Sequence, residues 1–289
     1  MSAQLLEGKI LANSIKEKLI EKLKKIKNNY NIIPCLAVIQ VGENESSRIY
    51  TNQQKKMCEK MGIEYNFYEL KKEISQEELI QFIHSLNKNK KINGIIVQLP
   101  LPSHIDNYLI KESVAFYKDV EGLHPQNIGM MFLGRPEIIT CTALSVFELI
   151  KSTGVKLYGK EAVIIGHSDI VGKPIGILLL NELATLTICH IATSDISVHI
   201  KRADILVVSV GKPNLVKGEW IKPESIVIDV GINRVGDKIV GDVEFEVAKE
   251  KASFITPVPG GVGPLTVMML IKNIINTVEW QIKNFKIMQ

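Results

Sequence analysis

The stretch SRIYTNQQKK, residues 47–56, carries a hydroxyl, a phenol and an amide at helical spacing. Residues three or four apart share one face of a helix, so Ser47, Tyr50 and Gln54 are predicted to line up. At about 100° per residue, Lys55 and Lys56 fall well to either side of that face. The pattern therefore predicts that Gln54, and neither lysine, acts on the same small molecule as Tyr50.

A second candidate site is the glycine turn in VIIGHSDIVGKPIG, residues 163–176. A buried strand runs into Gly166, and glycines in such a turn let the backbone approach a pyrophosphate at a helix N-terminus. The spacing is G-x-S-x-x-x-G instead of G-x-G-x-x-G, and proline after Lys173 excludes a Walker loop. The surrounding strand–helix–strand pattern favours dinucleotide binding over a purely structural turn.

Two further segments combine turn formers with a position suited to ligand binding. The loop ITPVPGGVGPLT, residues 255–266, is predicted to be rigid, to contain positive-φ glycines and to feed an apolar helix. It could let a flat ring approach the backbone, or simply connect a strand to a helix. In GIIVQLPLP, Gln98 ends a buried strand, where open α/β sheets bind ligands; stabilising the loop is the alternative role.

The elements that must position these residues follow an alternating strand–helix order in both halves of the chain. This order predicts parallel sheets, so the expected fold class is α/β: two α/β domains with a cleft between them, the second a Rossmann-like dinucleotide-binding domain. Between the halves, residues 118–142 are rich in turn formers and are predicted to form a hinge region.

Composition excludes several classes of protein. The chain has 289 residues, a net charge of +4 and four cysteines without paired spacing, so no metal site or disulfide framework is indicated. The basic segment KEKLIEKLKKIKNN is predicted to be an amphipathic helix, because no aromatics are interleaved as nucleic-acid binding would favour. No signal-peptide layout or membrane-length apolar run is found, which predicts a cytoplasmic protein without nucleic-acid or membrane partners.

Seven motifs occur in the order found in the methylenetetrahydrofolate dehydrogenase/cyclohydrolase family. They are SRIYTNQQKK, GIIVQLPLP, KDVEGLHPQNIG, GHSDIVGKP, DVGIN, GDVEF and TPVPGGVGPLT. The chain resembles this family over essentially its whole length. The resemblance implies a cytoplasmic homodimer that oxidises 5,10-methylenetetrahydrofolate with a nicotinamide cofactor. Most members then hydrolyse the methenyl product to 10-formyltetrahydrofolate at the same site.

The resemblance also implies domains and residue roles. Residues 1–121 would be the folate-binding catalytic domain, 122–270 the NAD(P)-binding domain, and 271–289 a C-terminal helix packing back on the first domain. The implied catalytic positions are Tyr50, Gln54 and Gln98. The implied substrate-binding positions are Ser47, Tyr50, Pro100, Glu121, Gly260, Gly261 and Pro264, with Pro102 shaping the pocket wall. The implied cofactor-binding positions are Gly166, His167, Ser168, Gly172, Lys173, Pro174, Ile191, Thr193 and Ile232.

The sequence departs from the family at three places. Gln54 stands where the family has its catalytic lysine, and glutamine cannot titrate, so hydrolysis is expected to be weak or absent while hydride transfer survives. Glu121 stands where members carry Asp, and re-aiming of the longer side chain is expected to preserve folate binding. Residues 140–145 read TCTALS instead of P-C-T-P-x-G, which is expected to loosen the hinge.

The cofactor and the activity each keep alternatives. Family habit favours NADP, whereas Ile191 offers no hydrogen-bond donor to a 2′-phosphate and mildly favours NAD. His167, Ser168 and Lys173 could still supply charge and donors, so both cofactors stay open. The leading function is methylenetetrahydrofolate dehydrogenase. The alternatives are a fully bifunctional dehydrogenase/cyclohydrolase and, more remotely, a folate- or nucleotide-binding protein without catalysis.

Overall fold

The computed structural model describes residues 2–43 and 45–285, without the side chains of residues 45–47 and 49. The chain forms two compact units. Unit A comprises Ile15–Ile139 and Val267–Gln289, and unit B comprises Met1–Ser14 and Thr140–Thr266. Within the described ranges, no helix combines the length and the apolar character needed to cross a bilayer.

Unit A is built on a three-stranded parallel sheet in the order β3-β2-β4. The strands are β2 (Cys35–Val41), β3 (Glu64–Leu70) and β4 (Gly94–Val97). Every residue of β2 and β4 is buried, as expected for parallel strands covered on both faces. The helices are α1 (Gly8–Tyr30, whose first residues belong to unit B), α2 (Glu45–Met61), α3 (Gln76–Lys88), α4 (Asn107–Ser113), α5 (Pro125–Phe132) and α10 (Val262–Phe285, which joins unit A from Val267).

The local signals in unit A act as the sequence predicts. Ser75 accepts a hydrogen bond from the Glu78 amide, and the Glu78 side chain accepts one from the Ser75 amide, which completes a capping box at the start of α3. On α1, Leu19, Leu23 and Ile26 are buried among exposed lysines. This pattern confirms the amphipathic helix predicted from the basic segment.

Unit B is built on a six-stranded, wholly parallel sheet in the order β1-β11-β8-β7-β5-β6. Its strands are β1 (Gln4–Leu5), β5 (Glu161–Ile165), β6 (Thr185–Cys189), β7 (Ile205–Val208), β8 (Ile226–Asp229) and β11 (Phe254–Ile255). Its helices are α6 (Cys141–Ser152), α7 (Gly172–Asn181), α8 (Ile196–Ile200) and α9 (Phe245–Lys249), beside a hairpin of β9 (Asn233–Val235) and β10 (Lys238–Val240). The buried β5, β7 and β8 confirm the predicted α/β class and the Rossmann-like second half.

Two predicted boundary segments contain more helix than expected. The division between unit A and unit B falls at residues 139–140, inside the predicted hinge 118–142. That segment also contains helix α5 and the start of α6, because Pro125 opens a helix that His124 caps through its side chain. In the glycine- and proline-rich segment 255–266, predicted as a loop, α10 already begins at Val262, ahead of Pro264. Proline is tolerated there since the first turn of a helix needs no amide donor at that position.

Candidate functional site

A buried pair of glutamine side chains lies at the carboxyl end of the unit A sheet. Gln98 directly follows β4, and its amide N–H donates to Ile39 O at 2.8 Å, which continues the ladder beyond the strand. Its side-chain Nε2 donates to Gln54 Oε1 at 3.3 Å. Gln54 is fully buried on α2, and its own Nε2 has no partner among the described residues. An unpaired buried amide donor is costly, so it marks a place where water or a ligand group is expected.

Helix α2 presents its side chains as the sequence predicts. Gln54 faces the interior, whereas Lys55 and Lys56 are exposed. Tyr50, one turn earlier on the same face, is partly buried. The side chain of Ser47 lies outside the described part of the structure. No lysine of this helix therefore takes the place of Gln54 beside Gln98.

The segment that follows residue 117 is held in a fixed loop by buried polar groups. The Asp119 carboxylate accepts hydrogen bonds from the backbone N–H groups of Glu121, Gly122 and His124 at 3.1, 3.0 and 2.7 Å. From α10, Asn273 Nδ2 donates to Val120 O at 2.8 Å. These bonds fix the backbone that carries Glu121.

Glu121 reaches a small cavity of about 30 Å³ with mostly aliphatic walls. Lys111 and Leu99 also line this cavity, and Pro100 is exposed next to it in the chain, after a cis peptide bond. Burial, together with the neighbouring Asp119 carboxylate, raises the pKa of Glu121 to about 8. Glu121 therefore holds a proton in folded unit A at neutral pH and can donate a hydrogen bond there.

In unit B the glycine turn brings two backbone segments into close contact. A Cβ at Gly172 would overlap the Gly166 carbonyl, and one at Gly166 would lie 2.5 Å from Ser209 O. Ser168 Oγ accepts hydrogen bonds from the Val171 and Gly172 amides at 3.1 and 3.4 Å. Only glycine permits this approach, so the turn forms an open cradle at the start of α7.

A cavity of about 890 Å³ opens above this cradle. Six of the predicted cofactor-binding residues line it, namely Gly166, His167, Ser168, Lys173, Ile191 and Thr193. Gly172 and Pro174 are buried in the first turn of α7, and Ile232 is exposed beyond β8 and outside the lining. The size suits a dinucleotide, and the carboxyl edge of a parallel sheet is where such ligands bind.

Two buried aspartates hold the loops beside the cavity. Asp242 is fully buried, and its carboxylate accepts hydrogen bonds from the three backbone N–H groups of residues 210–212 at 2.8, 3.0 and 2.8 Å. A fourth donor, Asn233 Nδ2, lies at 2.9 Å. Since Val210 and Lys212 line the cavity, Asp242 fixes one of its walls.

The second aspartate, Asp229, accepts backbone hydrogen bonds from Gly231, Asp242 and Val243 at 3.0, 3.0 and 2.8 Å. Burial raises its pKa to about 6. A Cβ at Gly231 would overlap the Asp242 carboxylate, and one at Gly241 would overlap the Asp229 carboxylate. The two loops thus interlock, each carboxylate resting on the glycine of the other loop.

The glycine-rich loop before α10 packs against the start of α1 inside unit B. Gly260 has a φ of +116°, as predicted for this loop, and its carbonyl accepts the Gly8 amide at 2.9 Å. Gly261 is buried, with no space for a side chain against Thr256. Pro264 is exposed in the first turn of α10.

Sequence reasoning missed part of the cofactor cavity and its support. The residues that line the cavity without having been predicted are Ile165, Asp169, His190, Ser194, Asp195, Ile196, Ser209, Val210, Lys212 and Leu215. Ser209 and Val210 follow strand β7 directly, so the rule that ligands bind beyond the carboxyl ends of strands would have found them. Asp242 gave no comparable signal, because its partners are backbone amides distant in sequence.

Comparison with known proteins identifies relatives along the whole chain. Residues 6–121 match the model of the tetrahydrofolate dehydrogenase/cyclohydrolase catalytic domain, and residues 140–282 match that of the NAD(P)-binding domain of the same family. A bifunctional protein FolD from Acetivibrio thermocellus is 51% identical over 284 residues, which cover 98% of this chain and 99% of that protein.

Solved structures agree with this match. The bifunctional FolD methylenetetrahydrofolate dehydrogenase/cyclohydrolase of Campylobacter jejuni is 46% identical with a TM-score of 0.94, covering 97% of this chain and 100% of that one. The FolD of Trypanosoma brucei, solved with NADP and an inhibitor, is 38% identical with a TM-score of 0.93, covering 98% and 99%. The resemblance read from the motifs is thereby confirmed: the chain is an enzyme of the tetrahydrofolate dehydrogenase/cyclohydrolase family, with an NAD(P)-binding second half.

Proposed function

We propose that the protein oxidises 5,10-methylenetetrahydrofolate to the methenyl compound with NAD⁺ or NADP⁺. The observation that carries this proposal is the cavity above the Gly166 turn, which has the size and the glycine cradle that a dinucleotide needs. When bound there, the nicotinamide supplies the hydride acceptor, and the folate nitrogens stabilise the resulting cation. The protein's own contribution is to position the substrate, which requires no titrating group.

Within unit A we assign the folate-binding role to the face that carries Tyr50, Gln54 and Gln98. The Tyr50 ring would stack on the pterin, and the unpaired Gln54 Nε2 would donate to a substrate oxygen or to a bound water. The Glu121 carboxyl oxygens would face the amino-pyrimidine edge and accept hydrogen bonds from its N–H groups. Ser47 and Pro100 complete the proposed substrate contacts in unit A. Gly260, Gly261 and Pro264, which belong to unit B, stay proposed substrate-binding residues on the resemblance alone, and Ile232 a proposed cofactor contact.

We further propose that hydrolysis of the methenyl product is weak or absent. That step needs a group that moves protons, and a positioned acid or base typically contributes about 10²–10⁴-fold. The Gln54 amide does not titrate, and its Oε1 accepts a hydrogen bond from Gln98. Lys55 and Lys56 are exposed, so neither amine reaches this position.

The dehydrogenase is tested by incubating the protein with methylenetetrahydrofolate and NAD⁺ or NADP⁺ and following the absorbance of the reduced cofactor. The matched variants Gln54→Lys and Gln53→Lys test the hydrolase, because Gln53 is exposed on the same helix. Gln54→Lys is expected to raise methenyl hydrolysis by at least about 10²-fold, while Gln53→Lys leaves it unchanged. A wild-type enzyme that hydrolyses the methenyl substrate rapidly would contradict the proposed loss.

Two alternatives rest on specific observations. The relatives from Acetivibrio thermocellus and Campylobacter jejuni are named bifunctional. This favours a protein that keeps both activities, with ordered water beside Gln54 moving the protons of hydrolysis. A binding protein without catalysis is favoured only by the altered residues at positions 54 and 121. Absence of cofactor reduction with either nucleotide would support that second alternative.

The remaining expectations also stand as proposals. We propose a homodimer in the cytoplasm, as family habit implies. We also propose that the folate-binding domain, expected at residues 1–121, corresponds to unit A, and that the NAD(P)-binding domain, expected at 122–270, corresponds to unit B, with residues 271–289 as a helix packing on the first domain. Residues 1–14, 122–139 and 267–270 lie in the other unit from the one expected. Sedimentation analysis of the purified protein tests the dimer directly.

A further inference from the structure

The residues after β6 occupy the position that reads the cofactor's ribose in a dinucleotide-binding fold. β6 lies beside β5 in register, with Cys189 opposite Ile165. The loop after Cys189 therefore emerges at the same sheet edge as the Gly166 turn. In this fold, an acid or a basic residue after the second strand distinguishes a 2′-hydroxyl from a 2′-phosphate.

Two side chains of this loop accept hydrogen bonds from the loop's own backbone. His190 Nδ1 accepts the Ala192 amide at 3.2 Å, and Thr193 Oγ1 accepts the His190 amide at 3.0 Å. The Thr193 amide donates to His190 O at 2.9 Å, which closes the turn. The side chain left at the tip is Ile191, which lines the cavity and is 99% exposed. An aliphatic side chain there offers no donor to a phosphate.

The charges around the cavity also fail to favour an extra phosphate. Among the described lining residues, the two positive charges of Lys173 and Lys212 are offset by the two carboxylates of Asp169 and Asp195. Lys173 Nζ pairs with Asp169 at 2.7 Å. Hydrogen bonds from Ser197 lower the pKa of Asp195, so this carboxylate is charged at neutral pH. Apart from the imidazoles of His167 and His190, the described lining side chains therefore carry no surplus positive charge to balance the roughly −1.5 to −2 charge of a phosphate group.

We infer that this site selects NAD(H) over NADP(H), with Ile191 as the residue that sets the selection. The inference rests on the proposed dehydrogenase function and names its cofactor. A charge-assisted hydrogen bond to phosphate that is never made corresponds to about a 10- to 100-fold difference in affinity. NADH is expected to bind more tightly than NADPH by that factor.

Titration calorimetry of the full-length protein with NADH and with NADPH tests the inference without any turnover. Ile191→Arg should tighten NADPH binding at least about tenfold and change NADH binding little, because the substituted side chain is exposed. Val198→Arg adds the same charge on an exposed position of α8 outside the cavity lining, and it should leave the NADH-to-NADPH ratio unchanged.

NADPH binding as tightly as NADH to the wild type would overturn the inference and leave the dehydrogenase function standing. An unchanged ratio in Ile191→Arg, or an equal change in Val198→Arg, would also overturn it, since the selection would then not reside in Ile191. Failure to bind either nucleotide would overturn both this inference and the proposed function.

Discussion

Asp242 offers the sharpest test of how the cofactor cavity is supported. Its carboxylate accepts four hydrogen bonds, three from backbone amides of residues 210–212 and one from Asn233 Nδ2. Asp242→Asn keeps the shape but replaces one acceptor oxygen by an N–H₂ group. Each oxygen serves two of the four donors, so two donors would then face another donor.

The expected cost follows from those contacts. Asn233 can turn its own amide and offer its oxygen, but a backbone amide cannot, so at least one buried N–H stays unpaired. A buried unpaired donor costs about 1–3 kcal/mol, and losing bonds to a charged group adds to it. We expect Asp242→Asn to lower the free energy of unfolding by about 2–4 kcal/mol and to weaken dinucleotide binding, because residues 210 and 212 line the cavity.

Urea unfolding and titration with NADH measure the two effects on the same samples. Asp237→Asn is the matched control, since Asp237 is exposed in the turn between β9 and β10, and it should shift neither quantity. If Asp242→Asn unfolds and binds like the wild type, the carboxylate does not hold this wall and the reasoning fails.

Three further variants probe other buried groups. Burial raises the pKa of Glu121 to about 8 from an ordinary 4.5, so the folded state keeps a proton that the unfolded chain releases. The free energy of unfolding of the wild type, measured in urea, should therefore fall by about 3 kcal/mol relative to that of Glu121→Gln between about pH 5 and pH 8. A difference between the two proteins that stays constant over this pH range would contradict this. Lys118 Nζ donates to three carbonyls at the end of α3, at 3.1, 2.8 and 2.8 Å. Lys118→Met should lower the melting temperature and cost about 1–3 kcal/mol, because buried carbonyls lose their shared donor. Lys88→Met on the exposed face of α3 should cost little. Equal losses in the two variants would refute the role of Lys118. Gly241→Ala should lower the melting temperature strongly, because its Cβ would overlap the buried Asp229 carboxylate. Gly263→Ala, with open space around it, should not. Similar melting temperatures for the two variants would argue against the interlocked loops.

Local patterns in the sequence predicted much of the architecture. The apolar runs that became β2, β4, β5 and β7 are buried over nearly their full length, so hydrophobicity alone located them. Helical periodicity also placed Gln54 inside and Lys55 outside, because side-chain direction on a helix is fixed by spacing. The glycine turn at Gly166 was predictable for the same local reason.

Tertiary contacts decided what the sequence missed. The region after residue 118 contains many turn formers, yet it is held in a defined loop by Asn273 of α10, which donates to the distant Val120 carbonyl. The role of Asp242 likewise depends on amides about thirty residues away along the chain. Such pairings join segments far apart in sequence, and no periodicity or motif reports them.

We propose that Gln54 leaves oxidation intact and makes hydrolysis weak or absent. This proposal is tested most directly by incubating the wild-type protein with methylenetetrahydrofolate and NAD⁺ and measuring the reduced cofactor and the methenyl compound together, against a protein-free sample. We expect one methenyl molecule to accumulate for each cofactor reduced, decaying afterwards only at the rate of the protein-free buffer. Reduced cofactor that forms without accumulation of the methenyl compound would contradict the account.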